Sequence, residues 1–433
     1  MTFWIRLEFN ESLDIGRLSR AMRTTSARHP LLSARIEYDS RRRPCWIPGP
    51  ATGNVREFDS RGSQTVFPSS ASVNLQSEPP WRAWVDSGLD NRVVWLEMHH
   101  AGCDGVGAFR AVDDLLKSYR DDSTPPPPDA RQDWVQLAHR HRCDNVPGLA
   151  GRIQQWAWMV RRIAAYSATV PASLDTVSWP EQVPSTNIPP SEFRTRCLGS
   201  VEQYLRVAKQ NNCTLNDLVT YSLFASLRDL FSRRNPNQKH RLRLFIPMDL
   251  RGNPKNVCQV SNVVGMFHID RVVGPDKKTG TNPISLSSIA KEMKVLRRHQ
   301  MGRALVVSLE AVTWILGSPA WLLSPHHCGA TSVLTNLKIP LAKSELMSAS
   351  GKLQMGSTIL ESVDMYPPIR PKTPACFGLL TYGNELRLTM RFQPATLPSA
   401  DAESLLSRMT DQLQRLDLES TAVSQASSAR EPS

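Results

Sequence analysis

The sequence predicts an α/β protein built as two lobes, and three observations carry that reading. Its 433 residues exceed what one compact core of ordinary size holds, and they suit two lobes of roughly 150–200 residues each. Segments of strict apolar alternation, the period of a strand, are interleaved with segments of helical spacing. A proline-bearing stretch, SLDTVSWPEQVPSTNIPPSE at 173–192, supplies a boundary. The predicted division is a first lobe over 1–175, a linker over 176–192, a second lobe over 193–418 and a disordered tail over 419–433, where apolar periodicity fades.

Phe3, Ile5, Leu7 and Phe9 alternate with Trp4, Arg6 and Glu8, which predicts a strand from the second residue. Ile15, Leu18, Met22 and Thr25 recur at helical spacing until His29-Pro30 stops the pattern, and Leu31 to Tyr38 then predicts another strand. RVVWLEMHH over 92–100 is a third, followed by a small-residue loop and a helix carrying Phe109, Val112, Leu116 and Tyr119. DSTPPPPDA at 122–130 is a surface loop. Beyond the linker come a strand near Phe193, helices within 200–210 and 214–232, and the strand pair RLRLFIP and SNVVGMFHID. GLLTYGNELRLTMRF folds back on itself at Gly383-Asn384 as a hairpin.

Composition narrows the class. With 40% hydrophobic residues, 21% charged and 22 glycines, the chain is neither collagen-like, coiled-coil nor wholly disordered. The 52 Lys+Arg against 40 Asp+Glu leave a formal charge of +12, so nucleic acid, a phosphorylated cofactor and anionic lipid all stay open as partners. Eight cysteines, at 45, 103, 143, 197, 213, 258, 328 and 376, form no C-x-x-C pair, the usage of reduced thiols in a cytoplasmic protein. MTFWIRLEFN lacks the pattern of a signal peptide. The longest apolar run, Ala304 to Leu323, contains Glu310, Gly317 and Pro319, which favours a buried helix and turn over a membrane span.

The most informative string is His99-His100-Ala101-Gly102-Cys103-Asp104-Gly105. An HHxxxDG pattern would arise by chance less than about once in a thousand such sequences. Neighbouring side chains on a strand point to opposite faces, so the two histidines do not share one metal, and no metal site is expected. One imidazole faces a cavity and suits general-base work at neutral pH, while the other supports the structure. Asp104 is placed to hold the loop through an ion pair with an arginine, and Gly105 to let the backbone turn into the helix. His326-His327-Cys328-Gly329 repeats the double histidine but has Thr331 and Ser332 where Asp and Gly would be required. No G-x-S-x-G elbow and no phosphate-binding G-x-x-x-x-G-K-[ST] loop occurs.

HHAGCDG resembles the signature of the superfamily that contains chloramphenicol acetyltransferase, the condensation domains of nonribosomal peptide synthetases, alcohol acetyltransferases and the wax ester synthase/diacylglycerol acyltransferases. LDIGRLSRAMRTTSARHPLL is similar to that superfamily's first helix and following strand, and PPWRAWV at 79–85 to the Pro-Leu-Trp element of the wax ester group. TLNDLV at 214–219 resembles the group's Asn-Asp element, FIPMDLRG at 245–252 its strand ending in an arginine, and TNLKIP at 335–340 its SNVPGP segment. The likeness spans about residues 2–418 and implies two chloramphenicol acetyltransferase-like lobes, each a mixed sheet with flanking helices, with an active-site tunnel between them.

It also implies an acyltransferase in which His100 takes the proton of an acceptor hydroxyl, or less readily an amine, that attacks an acyl thioester directly. His99, Asp104 and Gly105 would support the site, and Asn216, Asp217 and Asn336 would line the tunnel. The donor would be acyl-CoA or a phosphopantetheine-linked acyl group, with an acyl-carrier protein as the partner in the second case. No cofactor would be bound permanently. Relatives carry Arg directly after the HPLL string; here Ser33 stands there, and Arg35, two positions on, is the candidate partner of Asp104. The rival readings are a condensation-type enzyme forming amides from carrier-bound substrates, and a silent relative kept as a scaffold. Between Arg131 and Arg162, Trp134, Trp156 and Trp158 interleave with Arg140, Arg142, Arg152 and Arg161. A weak membrane-surface contact would suit that stretch, as would a helix with core tryptophans and a solvated arginine face. Nucleic acid has no supporting motif.

Overall fold

The computed structural model describes residues 1–41, 43–61, 67–69, 73–122, 168–176, 190–251, 260–275, 284–299, 301–303 and 328–428, with side chains to 420, and single helical positions within 134–166 and at 306. The loop at 122–130, most of the linker, the tryptophan-arginine stretch, the run at 304–323 and His326-His327 lie essentially outside the described residues.

The alternation at the start of the chain becomes β1 (Thr2–Phe9), with Phe3, Ile5, Leu7 and Phe9 in the core. β1 is the centre of a six-stranded sheet in the order β11-β12-β1-β6-β5-β4. Its members are β4 (Val55–Phe58), β5 (Trp81–Asp86), β6 (Val93–His99), β11 (Gln354–Met355) and β12 (Thr358–Tyr366). Helices α1 (Ile15–Arg28) and α3 (Gly105–Asp121) present Leu18, Met22, Phe109, Val112 and Leu116 to the same core as Val94, Leu96 and Met98 of β6. Each such aliphatic side chain, fully buried, contributes about 1.5–3 kcal/mol.

Two predictions are corrected in this half. Pro30–Ser33 is a helical turn, α2, and only Arg35–Tyr38 extends, as β2, paired with β3 (Pro44–Ile47). Proline suits a first helical position, and the turn buries the adjacent Leu31 and Leu32 together, which strict alternation would not do. Likewise β11 and β12 come from beyond residue 193 yet complete the first sheet, β12 pairing antiparallel with β1 (Trp4 opposite Tyr366, Leu7 opposite Val363). A cut at 193 therefore does not divide the sheets.

The second sheet has the order β7-β14-β13-β10-β8-β9. It contains β7 (Glu192–Ser200), β8 (His240–Asp249), β9 (Val264–Val273), β10 (Ser332–Asn336), β13 (Ala375–Tyr382) and β14 (Glu385–Phe392). β10 runs parallel to β8 and β13. The hairpin forms as predicted: Gly383 and Asn384 take φ of 56° and 66° between paired Tyr382 and Glu385, the two-residue turn that matches strand twist. Its core is shared with α4 (Val201–Gln210), α5 (Leu215–Arg234), α6 (Leu286–Arg298) and α7 (Ser399–Ser428). Because α7 is helical to Ser428, the disordered tail expected from 419 is corrected over 419–428; the segment has no Gly or Pro before Pro432 to stop a helix.

On the face of the first sheet away from α1 and α3, Trp4, Phe67, Trp95 and Tyr366 cluster, and Phe193 of β7 packs against them. Arg387 of β14 reaches Asp364 of β12 at 2.7 Å across the same seam. A cavity of about 380 Å³ opens there among Arg6, Glu8, Trp95, Phe193, Asp364 and Arg387. It lies away from the end of β1 where Thr2 pairs with His99, so it is not the expected tunnel at the histidines.

Candidate active site

Strand β6 ends at His99, and the chain reaches α3 through His100-Ala101-Gly102-Cys103-Asp104. Gly102 is demanded by packing, because a Cβ there would stand 2.7 Å from Pro80. Gly105 has a related reason: a Cβ would meet the Leu337 side chain at 2.7 Å. The turning role expected of Gly105 is corrected, since its φ is not in the left-handed region. Cys103 is buried beside these residues, and burial pushes its thiol well above the usual range.

Asp104 opens α3 as its N-cap, Oδ1 accepting from Gly107 N at 2.8 Å. Its side chain is 4% exposed and each oxygen has two donors. Arg251 grips it in a fork, NH2 donating to Oδ1 and NH1 to Oδ2, both at 3.0 Å, and Val263 N donates to Oδ2 at 2.7 Å. Paired in this planar way, a guanidinium fixes orientation as well as charge. Burial works against the Arg251 charge, but Asp104, and then Asp249, outweigh it and hold Arg251 above its ordinary range. Arg251 NH2 also donates to Ser261 O at 2.7 Å.

The arginine that holds Asp104 is thus Arg251, and the expectation for Arg35 is overturned. Arg35 sits on β2, which among the described residues pairs with β3 and not with either six-stranded sheet, and there its buried Nε has no hydrogen-bond partner. Arg251 follows the end of β8 and arrives from 147 residues away. A signal for it was present, the arginine that closes FIPMDLRG, but spacing along a chain does not say which distant strand end meets a loop.

His100 is held from the same direction. Asn262 Nδ2 donates to the His100 carbonyl at 2.7 Å and lies 3.0 Å from His100 Nδ1. Phe3 stands edge-on to the ring with centroids 5.6 Å apart. Burial lowers the His100 pKa, opposed by its own backbone carbonyl and by the Asp104 charge. The imidazole is therefore neutral at pH 7, and among the described residues no hydrogen bond uses its Nε2. Asn262 went unrecognised in the sequence, because an asparagine before a strand reads as a turn residue.

His99 lies on the other side of the loop. Its Nδ1 accepts from Ala101 N at 3.2 Å, bracing the loop, and its Nε2 lies 2.9 Å from the Met1 amino group. Burial, then the charges of Met1 and His100, push it down to about 3. Among the described residues no three metal-ligating side chains gather.

Of the three residues expected along a tunnel, Asp217 and Asn336 have side-chain partners elsewhere. Asp217 is 1% exposed on its side chain and completes a capping box with Thr214 at the start of α5, while Arg297 of α6 donates to both its oxygens. Asn216, beside it, has a buried Oδ1 with no hydrogen-bond partner among the described residues. Asn336 ends β10 and accepts from Lys338 N at 2.8 Å; the next residue, Leu337, is the one that abuts Gly105. Only Asn336 is thereby brought near the histidine loop.

The chain is similar to known proteins in sequence and in fold. The family described as the wax ester synthase/diacylglycerol acyltransferase catalytic domain matches residues 70–219, the stretch that holds His100, Asp104 and Asp217. The probable diacylglycerol O-acyltransferase Tgs4 of Mycobacterium tuberculosis is 23% identical over 228 residues, 47% of this chain and 46% of that protein. The chain thus spans about half the length of the curated relatives it matches. Among solved structures, the first condensation domain of the CDA synthetase superposes with a TM-score of 0.63 at 17% identity, covering 96% of this chain and 91% of that one. The EpoB cyclization-docking bidomain of Sorangium cellulosum gives 0.60 at 16%, covering 96% and 80%. No helix among the described residues is long and apolar enough to cross a membrane. The resemblance carried by HHAGCDG stands: in sequence the chain is similar to the wax ester synthase/diacylglycerol acyltransferases, and in fold to the condensation domains, of the chloramphenicol acetyltransferase-like acyltransferase superfamily.

Proposed function

We propose that this protein is an acyltransferase that moves an acyl group from a thioester donor to an alcohol, with His100 as general base. The observation that carries the reading is the neutral imidazole at the end of β6, with Asn262 beside its Nδ1 and no hydrogen bond at Nε2 among the described residues. The acceptor hydroxyl gives its proton to Nε2 as its oxygen attacks the thioester carbonyl. The C–O bond forms, the C–S bond breaks, and the proton on Nε2 passes to the departing thiolate. No acyl group becomes attached to the enzyme. Base help of this kind supplies about 10²–10⁴-fold, and holding two substrates in line supplies the rest.

The donor is a phosphopantetheine thioester, carried either on coenzyme A or on a carrier protein; a chain of net charge +12 favours such phosphate-bearing partners. The two substrates enter a tunnel between the sheets from opposite ends, in the cytoplasm. Amide formation from an amine acceptor is the second reading, supported by the similarity in fold to condensation domains.

The test is thiol release from a panel of acyl-CoA and acyl-carrier-protein donors with alcohols and amines, comparing wild type with His100→Ala. A loss of about 10²–10⁴-fold is expected; unchanged release by His100→Ala would sink the mechanism, and no release by wild type with any donor would favour the scaffold reading. Because the His100 pKa is lowered, the base stays unprotonated through the ordinary histidine range. Thiol release should keep its plateau from neutral pH down past 6.5, the usual imidazole value, and fall only below it. A fall that begins above pH 7 would contradict this assignment.

A further inference from the structure

We infer that the cavity at the seam between the two sheets binds a small organic cation, an ammonium or amidinium carried on one aromatic ring. This is a second site, separate from the histidine loop. The cavity holds about 380 Å³, within the range of small-ligand pockets. Its wall is aromatic. Phe193 of β7 stands 5.0 Å from Trp95 and 4.9 Å from Tyr366, ring centre to ring centre, and Trp95 stacks on Tyr366 at 5.6 Å. Both sheets contribute, β1, β6 and β12 from the first and β7 and β14 from the second.

The charges around the cavity select the sign of the ligand. Two arginines and three carboxylates line it. Arg6 donates to Glu8 at 2.8 Å, and Arg387 donates to both oxygens of Asp364, at 2.7 and 3.2 Å. Each guanidinium is thus already matched, and the third carboxylate, Asp86, is left over. Asp86 is 1% exposed. Its Oδ1 accepts from Ser60 N at 3.1 Å and from Gly88 N at 3.0 Å, so this oxygen caps the turn Ser87–Leu89. Among the described residues Oδ2 accepts no hydrogen bond and the carboxylate forms no ion pair. A charge taken out of water needs a partner, and the cavity that Asp86 lines is where one can arrive. A cation there would pair with Oδ2 and lay its ring against Trp95, Phe193 and Tyr366. An anion would meet three carboxylates and two arginines already engaged. The formal charge of +12 acts the opposite way, so a cation bound to this protein is held by a site and not collected by the surface.

The experiment is isothermal titration calorimetry of the whole chain at neutral pH with 2-phenylethylamine and benzamidine. The neutral and anionic counterparts are 2-phenylethanol and phenylacetate. Wild type should bind the two cations saturably at one site, and the alcohol and the acid about ten-fold more weakly or worse, the worth of one charge-assisted hydrogen bond. Asp86→Asn keeps an acceptor for Ser60 N and Gly88 N, so it should fold, as thermal melting would check, and lose about ten-fold or more in cation affinity. Leu89→Trp narrows the cavity without touching a charge and should weaken both cations as well. His100→Ala should bind them as wild type does, because His100 lies past the other end of β6. If Asp86→Asn does not fold, Leu89→Trp and the alcohol decide. No saturable cation binding by wild type, equal affinity for 2-phenylethanol, or unchanged affinity in folded Asp86→Asn or Leu89→Trp would overturn the inference. Binding lost in His100→Ala and kept in Asp86→Asn would put the amine at the histidine loop and overturn it equally.

Discussion

Two aspartates in this protein stand at helix starts and carry an arginine on both oxygens, and only one of them belongs to the candidate site. Asp104 is the N-cap of α3 and is gripped by Arg251; Asp217 closes the capping box of α5 with Thr214 and is bonded by Arg297. Both are almost wholly buried, at 4% and 1% side-chain exposure. The difference lies in the remaining bonds. The spare acceptor capacity of Asp104 takes Val263 N, across the molecule and next to the residue that holds His100. That of Asp217 takes Thr214 N, three residues away in its own helix cap. The same chemistry thus ties two distant segments together in one place and finishes a helix in the other. A motif residue is functional through what its last free lone pair holds.

Removing each carboxylate tests this comparison. Asp104→Ala leaves the Arg251 guanidinium, 10% exposed, without its main partner, a class of change that costs about 3–5 kcal/mol. It also removes the N-cap of α3, worth about 1 kcal/mol. The largest loss of stability in urea unfolding is expected here, together with loss of thiol release from whatever fraction stays folded. Asp104→Asn, which keeps an acceptor for Gly107 N, should fold better than the alanine variant and remain impaired in thiol release. A folded Asp104→Ala that releases thiol at the wild-type rate would separate this carboxylate from His100.

Asp217→Ala should cost less, about 1–2 kcal/mol, because it removes a capping box and an ion pair whose arginine is 37% exposed. Thiol release per folded molecule should stay within about two-fold of wild type, inside the scatter of a remote surface-type change. A folded Asp217→Ala that loses release would return the Asn-Asp element to the site and dissolve the contrast.

What was legible beforehand follows the same line. Local patterns were readable because they are set by neighbours in sequence: the alternation of β1, the spacing of α1 and α3, and the Gly383-Asn384 turn all form. In the string HHAGCDG, His99 Nδ1 accepts from Ala101 N and Asp104 is paired with an arginine. What needed distant meetings was not readable. β12 joins β1 across more than 350 residues, Arg251 reaches Asp104 across 147 and Asn262 reaches His100 across 162. Such partners are chosen by how the two sheets pack, which no short window of sequence encodes. Pro30 is the instructive local failure: it was read as the end of a helix, and it also begins the next helical turn.

The smallest effect belongs to the arginine that proximity in sequence recommended. Arg35 lies on β2, outside both six-stranded sheets, with Arg35 opposite Ile47 of β3. Among the described residues its buried Nε has no hydrogen-bond partner, and its aliphatic stem can contribute packing. Arg35→Ala should therefore shift stability by no more than about 1 kcal/mol and leave thiol release per folded molecule within about two-fold of wild type. Measured beside Asp104→Ala, it distinguishes two origins for the site's ion pair. If Arg35→Ala abolished release as Asp104→Ala does, the lock would lie within the first half of the chain. If it is silent, the lock comes from Arg251, and the loop bearing His100 is held in place only when the strand end at 249–251 and the segment 261–263 close upon it, which makes assembly of the site a consequence of the two sheets coming together.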